Sequence, residues 1–303
     1  MLLLEQILNG LQFGVMLFLL AAGLTLVFGI MGLINLAHGS LYMIGAFAAA
    51  AVGRVTGSFS LGLLAGLAAA GAVGIAMEYV VLRRLYDRDH LDQVLATFGL
   101  ILFFNEMMVI LFGRTPLFAN IPAALSGAIE LIPGSPYPIY RLVIILAGLA
   151  VAFGLYLLIT KTRIGMLVRA GATHREMVRA LGVDIKLLYT IVFGLGALLA
   201  GLAGGMAGPL FSVQVGMGEQ VLILTFVVIV IGGVGSIRGA VVGAVLVGLV
   251  DTLMRAFVPG LLKSLMSASS ADALGAGLSS MGVYLLMALV LLVKPRGLFP
   301  AHG

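Results

Sequence analysis

The chain has 303 residues, of which 62% are hydrophobic and only 10% charged, whereas soluble domains run about 45–50% apolar and about 25% charged. With a mean hydropathy of +1.21, that excess has no place in one water-soluble core, and composition excludes a soluble enzyme, a disordered regulator and a nucleic-acid binder. The net charge of +5 and the absence of cysteine point to basic loops on a membrane protein, with neither a disulfide framework nor a thiolate metal site.

A membrane-spanning helix needs about 20 mainly apolar residues. In chain order the candidates are Ile7–Met31, His38–Gly53, Ser60–Leu82, Val94–Gly113, Tyr140–Thr160, Leu187–Ala207, Val221–Gly233, Gly239–Val258 and Met281–Val293. The first contains no charge, and no Lys or Arg precedes Arg54. It therefore lacks the basic n-region of a secretory signal and reads as a retained span. Several segments are short, so eight spans with one re-entrant or broken piece fit as well as nine. The expected fold is all-α, a polytopic transmembrane bundle forming a single membrane domain over residues 1–303.

Two connecting stretches read as surface structure. Arg114–Tyr140 holds five of the nine prolines (Pro116, Pro122, Pro133, Pro136 and Pro138), which precludes a regular helix through its second half. Ser264–Ser280 is rich in Ser, Ala and Gly and reads as an external loop or a short interfacial helix. Charge sets the orientation: residues 161–186 carry six of the 17 basic residues and residues 83–93 three more. Placing both inside puts Arg238, Lys294 and Arg296 inside too, leaving Arg54, Arg114, Arg141, Arg255 and Lys263 outside. The positive-inside rule then expects a cytoplasmic C-terminus and an external N-terminus.

Small residues recur every four positions in three spans: Gly62, Gly66, Ala70 and Gly74; Ala197, Gly201 and Gly205; Ala240, Ala244 and Gly248. Such stripes let helix backbones approach closely in lipid. The four histidines, His38, His90, His174 and His302, form no ligand pattern, and no Gly-rich phosphate loop is present. The chain is therefore expected to carry no metal, no cofactor and no ATP site of its own.

Charge inside a membrane is costly and usually faces protein or water. Glu106, beside Asn105, and Asp251 are thus either proton or substrate ligands, or partners in interhelical hydrogen bonds, or carboxylates snorkelling into external water. Glu78, near Arg83 and Arg84, reads as an end charge. Two polar, Gly-rich breaks interrupt apolar runs: one contains Asn35, His38 and Gly39, the other Gly232, Gly233, Gly235 and Ser236. Paired breaks in the two halves of a chain point toward a translocation site, and the same residues suit tight turns between spans. After Gly171, Met177, Val178 and Leu181 recur at helical spacing opposite Arg175, Glu176 and Arg179. This predicts a short amphipathic helix over 172–182, capped by Gly182. Such a helix either lies on lipid or docks on a soluble partner.

The 161–186 loop resembles the EAAxxxG pattern of ABC importer permeases, with Glu176-Met177-Val178 in the EAA place and Gly182 as its glycine. The two alanines are replaced. Together with Asn35-Leu36-Ala37-His38-Gly39, Gly232-Gly233-Val234-Gly235-Ser236 and the ending Lys294-Pro295-Arg296-Gly297-Leu298-Phe299, it resembles the branched-chain amino-acid permease family of the LivH type over nearly its whole length. The resemblance implies one of two related permease subunits of a bacterial inner-membrane importer. Two cytoplasmic ATPases would bind ATP-Mg, and a periplasmic binding protein would deliver substrate. It also implies an ATPase-coupling surface at Arg169, Ala172, Arg175, Glu176, Arg179 and Gly182. The Pro-rich segment would be available to the binding protein. Branched-chain amino acids are the default substrate; urea, short amides and other small polar solutes fit the same family. A proton-coupled transporter using Glu106 or Asp251, and then a membrane-embedded enzyme, are the remaining classes.

Overall fold

A computed structural model describes residues 2–132, 134–173 and 175–300; His174, His302 and Pro133 lie outside the described residues. Among the described residues the chain forms eleven α-helices and one two-stranded sheet. In order these are α1 (Leu2–Met31), α2 (His38–Thr56), α3 (Phe59–Val80), α4 (His90–Phe112), the strands β1 (Ala128–Ile132) and β2 (Ser135–Pro138), α5 (Ile139–Lys161), α6 (Arg163–Thr173), α7 (Arg175–Ala180), α8 (Ile185–Ala207), α9 (Met217–Gly232), α10 (Ile237–Lys263) and α11 (Ala268–Val293). Eight are long and apolar enough to cross a membrane, α3 continuing through a 3-10 turn to Arg84; α9, with 16 residues, is shorter. The expected all-α polytopic architecture is thus observed, with eight long helices and one short piece.

In hydrocarbon a backbone must satisfy its own hydrogen bonds, so apolar runs of this length become helices. Side chains cap several of the ends. Ser58 accepts the Leu61 amide of α3 at 3.4 Å, Asp184 accepts the Lys186 and Leu187 amides of α8 at 2.9 and 3.1 Å, and Ser236 accepts the Gly239 amide of α10 at 3.1 Å.

Contacts divide the chain into two compact units. One comprises residues 19–122 and 150–223, the other residues 1–18, 123–149 and 224–303. The first is built on α2, α3 and α8, whose small-residue stripes face one another. A Cβ at Gly66 would lie 2.6 Å from the Gly45 carbonyl oxygen, and one at Gly45 would lie 2.5 Å from the Gly201 Cα. The second packs α10 against α11 and against the start of α1. Ala240, Ala244 and Gly248 are buried there, and a Cβ at Gly14 would lie 2.6 Å from the Ala244 carbonyl oxygen.

Two connecting segments differ from expectation. The 264–280 stretch is helical from Ala268, so the loop contracts to residues 264–267. Ser and Gly do not break the helix because they are its packing face: Ser279 donates to the Met254 carbonyl at 2.9 Å, and Gly275 abuts Pro259. A Lys263–Asp272 ion pair of 2.8 Å bridges the α10–α11 corner. The Pro-rich segment, expected only to avoid helix, forms the β1–β2 hairpin, pairing Ala128 with Pro138 and Ile129 with Tyr137. A two-stranded ribbon has only edges, where Pro136 and Pro138 are tolerated despite lacking an amide proton.

Candidate functional site

The first break is an excursion into the interior of its unit. Helix α1 ends at Met31, and Gly32 adopts φ +62°, a left-handed conformation that favours glycine. Residues 33–37 then run without helix, with Leu33, Asn35 and Ala37 fully buried, until α2 begins at His38. His38 lies beside Gly23 of α1, where a Cβ would stand 2.9 Å from its Nε2 and 2.7 Å from the Gly196 carbonyl oxygen. Gly196 is halfway along α8, so α2 begins against the middle of that helix rather than at its end.

The short helix α9 begins at the same level. The first turns of α2 and α9 meet at Gly39 and Gly218, each glycine pressed against the other's carbonyl so closely that neither position admits a Cβ. Helix N-termini carry unpaired amides and a partial positive charge. Around this junction several polar atoms are buried without a hydrogen-bond partner: both amide atoms of Asn35, both ring nitrogens of His38 and the Thr25 hydroxyl. The Leu20 backbone is the polar neighbour of the His38 ring, short of hydrogen-bond geometry. Asn105 of α4 donates to Glu219 of α9 at 2.6 Å, while Asn105 Oδ1 and Glu219 Oε2 are buried and unpaired. Glu106, next to Asn105, points to the surface. An unsatisfied buried polar group costs about 1–3 kcal/mol. A concentration of them beside two helix N-termini is chemically equipped to take over the hydration of a small polar or zwitterionic solute.

A second polar group sits at the end of this unit where basic residues collect. Glu78, fully buried, accepts from Arg83 at 3.2 and 3.3 Å and from the Thr190 hydroxyl at 2.7 Å, and Tyr86 also donates to it. Arg83 in turn donates to Thr190 at 2.7 Å. Burial first, and then the hydrogen bond to Glu78, push the Tyr86 phenol above its ordinary value, so it stays a donor. Glu78 is therefore no loose end charge: it ties α3, the turn after it and α8 together.

The 161–186 segment is helical on both sides of residue 174. In α6, Gly165, Val168 and Gly171 are buried, Arg169 is exposed and donates to the Ile159 carbonyl of α5, and Ala172 is half-buried. Arg175 begins α7. Glu176 and Arg179 are exposed, and so are Met177 and Leu181, at 63% and 78%. Only Val178 of the expected apolar stripe turns inward. Gly182, at φ +84°, caps the helix as expected, its amide meeting the Arg179 carbonyl at 3.0 Å.

In the other unit Asp251 is buried and held by Arg255 one turn later, with both contacts at 2.9 Å. The second break is a tight α9–α10 turn. Gly232 packs on Gly239, Gly233 and Gly235 have positive φ, and Ser236 caps α10. The chain's ending folds over it, with the Leu298 and Phe299 amides donating to the Ile231 and Gly232 carbonyls at 2.9 and 2.8 Å. Sequence reading missed Glu219 and Thr190. Glu219 carried a usable signal, an acid in the first turn of an apolar helix; Thr190 carried none.

The sequence of residues 6–293 matches the family described as branched-chain amino acid transport system / permease component. Among curated proteins the chain is 31% identical to the high-affinity branched-chain amino acid transport system permease protein BraD of Pseudomonas aeruginosa, over 97% of this chain and 95% of that protein. It is 28% identical to LivH of Escherichia coli, a permease protein of the same description, over 97% and 94%. It is 26% identical to the probable branched-chain amino acid transport permease protein LivH of Methanocaldococcus jannaschii, over 93% and 88%. No solved structure matches. The chain belongs to this permease family: it is a multi-pass membrane protein and a component of a transport system, in a family of permeases rather than of known enzymes.

Proposed function

We propose that the chain is a permease subunit of an ABC importer that carries branched-chain amino acids across a bacterial inner membrane, with urea, short amides or other small polar solutes as the alternative cargo. Membership of the family supports the class, and the names of its relatives support the cargo. The observation that carries the pathway assignment is the Gly39–Gly218 junction, where the first turns of α2 and α9 meet beside the buried and unpaired Asn35 and His38. Two helix N-termini brought together favour an anionic group such as an amino-acid carboxylate. Asn35, His38, Gly39, Asn105 and Glu219 are assigned to the pathway. Gly232, Gly233, Gly235 and Ser236 are assigned to the turn that holds α9 and α10 in register.

The exposed Glu176, Met177, Arg179 and Leu181 of α7 and its cap, with Arg169, Ala172, Arg175 and Gly182, form the surface on which a cytoplasmic ATPase docks. ATP-Mg belongs to two such ATPase subunits, a second related permease completes the pathway, and an external binding protein delivers cargo. The basic segment 161–186 and the C-terminus are cytoplasmic and the N-terminus external, as the charge distribution favours. Asp251 is paired with Arg255 and Glu106 faces outward, which favours the ATP-driven reading over a proton relay through either.

The test is affinity purification of the chain from its native membrane in mild detergent, with partners identified by mass. Stoichiometric recovery of two ATPase chains and a second hydrophobic subunit is expected. Recovery of the chain alone, still moving solute into liposomes without ATP, overturns the importer reading.

A further inference from the structure

A crevice of about 330 Å3, lined among others by Leu158 and Ile159 of α5, Ile164 and Val168 of α6, and Ile191 and Leu198 of α8, lies apart from the Asn35–His38 site. That volume falls within the range of about 300–1,000 Å3 typical of small-ligand pockets. Its walls are aliphatic and open at the side, with Ile164, Ile191 and Leu198 about two-fifths exposed (40%, 42% and 38%). The elbow between α5 and α6 forms one wall. Thr162 donates to the Leu158 carbonyl at 2.6 Å and accepts the Gly165 amide at 3.1 Å, and Arg169 donates to the Ile159 carbonyl. The crevice is therefore bounded by a capped and rigid corner.

Apolar walls alone do not select an occupant in a bilayer; the rim does. Lys161 follows Ile159 by two residues, Arg163 directly precedes Ile164, and Lys186 stands one helical turn before Thr190, which itself lines the crevice. All three basic side chains are exposed, and among the described residues none forms a salt bridge. The acid on this rim, Asp184, is engaged by the Lys186 and Leu187 amides. Basic residues around an apolar slot at a membrane face are complementary to a lipid that is anionic at one end and aliphatic at the other. We infer that this crevice binds an acyl chain of one anionic phospholipid, with its phosphate held by Lys161, Arg163 and Lys186. Thr190 gives the site a route to the rest of the unit, because the same hydroxyl bonds Glu78.

The full chain, purified in mild detergent, is probed by native mass spectrometry with phosphatidylglycerol and phosphatidylcholine of identical acyl chains. One phosphatidylglycerol is expected to survive activation that strips phosphatidylcholine, with a preference of about tenfold. Arg163→Gln with Lys186→Gln reduces the retained phosphatidylglycerol to the phosphatidylcholine level, and Ile191→Trp, which fills the slot, reduces both. Equal retention of the two lipids, or retention unchanged in both variants, overturns the assignment. A second measurement keeps every other residue native: a photo-crosslinking side chain at Leu198 in intact membranes. An adduct of phospholipid mass supports the site, whereas an adduct of protein mass makes this face a subunit interface and overturns it.

Discussion

The Phe299 amide donates to the Gly232 carbonyl at 2.8 Å, which joins two segments separated by more than sixty residues of sequence. The last carbonyls of α9 would otherwise be orphaned at a helix end. Here the chain's ending supplies the donors, and a Cβ at Gly233 would lie 2.6 Å from the Phe299 carbonyl oxygen.

Gly233→Ala is therefore expected to destabilise the protein by about 1–2 kcal/mol from the strained backbone alone, with the clash added. Gly99→Ala, at a helical glycine with nothing within 4 Å, is the control and should be neutral or slightly stabilising. Thermal unfolding in detergent compares the two. Equal melting temperatures would remove the tail's role in holding the α9–α10 turn.

The Glu78 network gives a second expectation. Glu78→Gln leaves Arg83 facing a weaker acceptor and should cost about 1.5–3 kcal/mol, the range for a hydrogen bond to a charged group. Arg83→Gln, which strands a buried carboxylate, should cost more than that. The double variant should cost less than the sum, because Thr190 and Tyr86 can bond a neutral amide. A double-mutant cycle on thermal or denaturant unfolding measures the coupling; strict additivity would mean that the pair contributes nothing jointly.

The architecture was legible because a bilayer leaves few options. The helices α2, α3, α4, α5 and α8 follow directly from apolar run length, and the Gly62–Gly74 stripe told truly which face packs. The polar chemistry was legible only in part. Asn35 and His38 stood out because polar residues interrupt an apolar run, but the meeting of Gly39 with Gly218 joins segments far apart in sequence, and no local pattern encodes it. Residues 264–280 misled because Ser and Gly, which mark loops in water, mark helix packing in a membrane. The 172–182 stripe had the spacing of an apolar face meant for lipid or a partner, and among the described residues Met177 and Leu181 are left uncovered.

That exposure has a functional consequence. On the docking assignment, Glu176→Arg or Leu181→Asp should lower uptake about tenfold or more, since reversing or burying an unpaired charge at an interface costs several kcal/mol. Membrane levels of the protein should be unchanged, because both side chains are already exposed. Co-purification with the ATPase subunits should fall in parallel. Normal uptake in both variants would move the docking surface elsewhere.

Asn35 allows stability and function to be separated in one substitution. Its side chain is fully buried, and neither amide atom has a hydrogen-bond partner. Replacing a buried unsatisfied amide by an apolar group of similar size removes a desolvation penalty of about 1–3 kcal/mol. If Asn35 only braced the turn before α2, Asn35→Leu would leave transport intact. If it lines the solute path, Asn35→Leu should raise the melting temperature or leave it unchanged, and lower uptake about tenfold or more, because a pathway that replaces hydration shells loses a donor and an acceptor. Stability gained at the expense of activity is the signature of a polar group retained for function. Uptake of labelled leucine into whole cells, set beside thermal unfolding of the purified chain, reads both quantities. Undiminished uptake in the more stable variant would remove Asn35 from the pathway and leave the α2–α9 junction as packing alone.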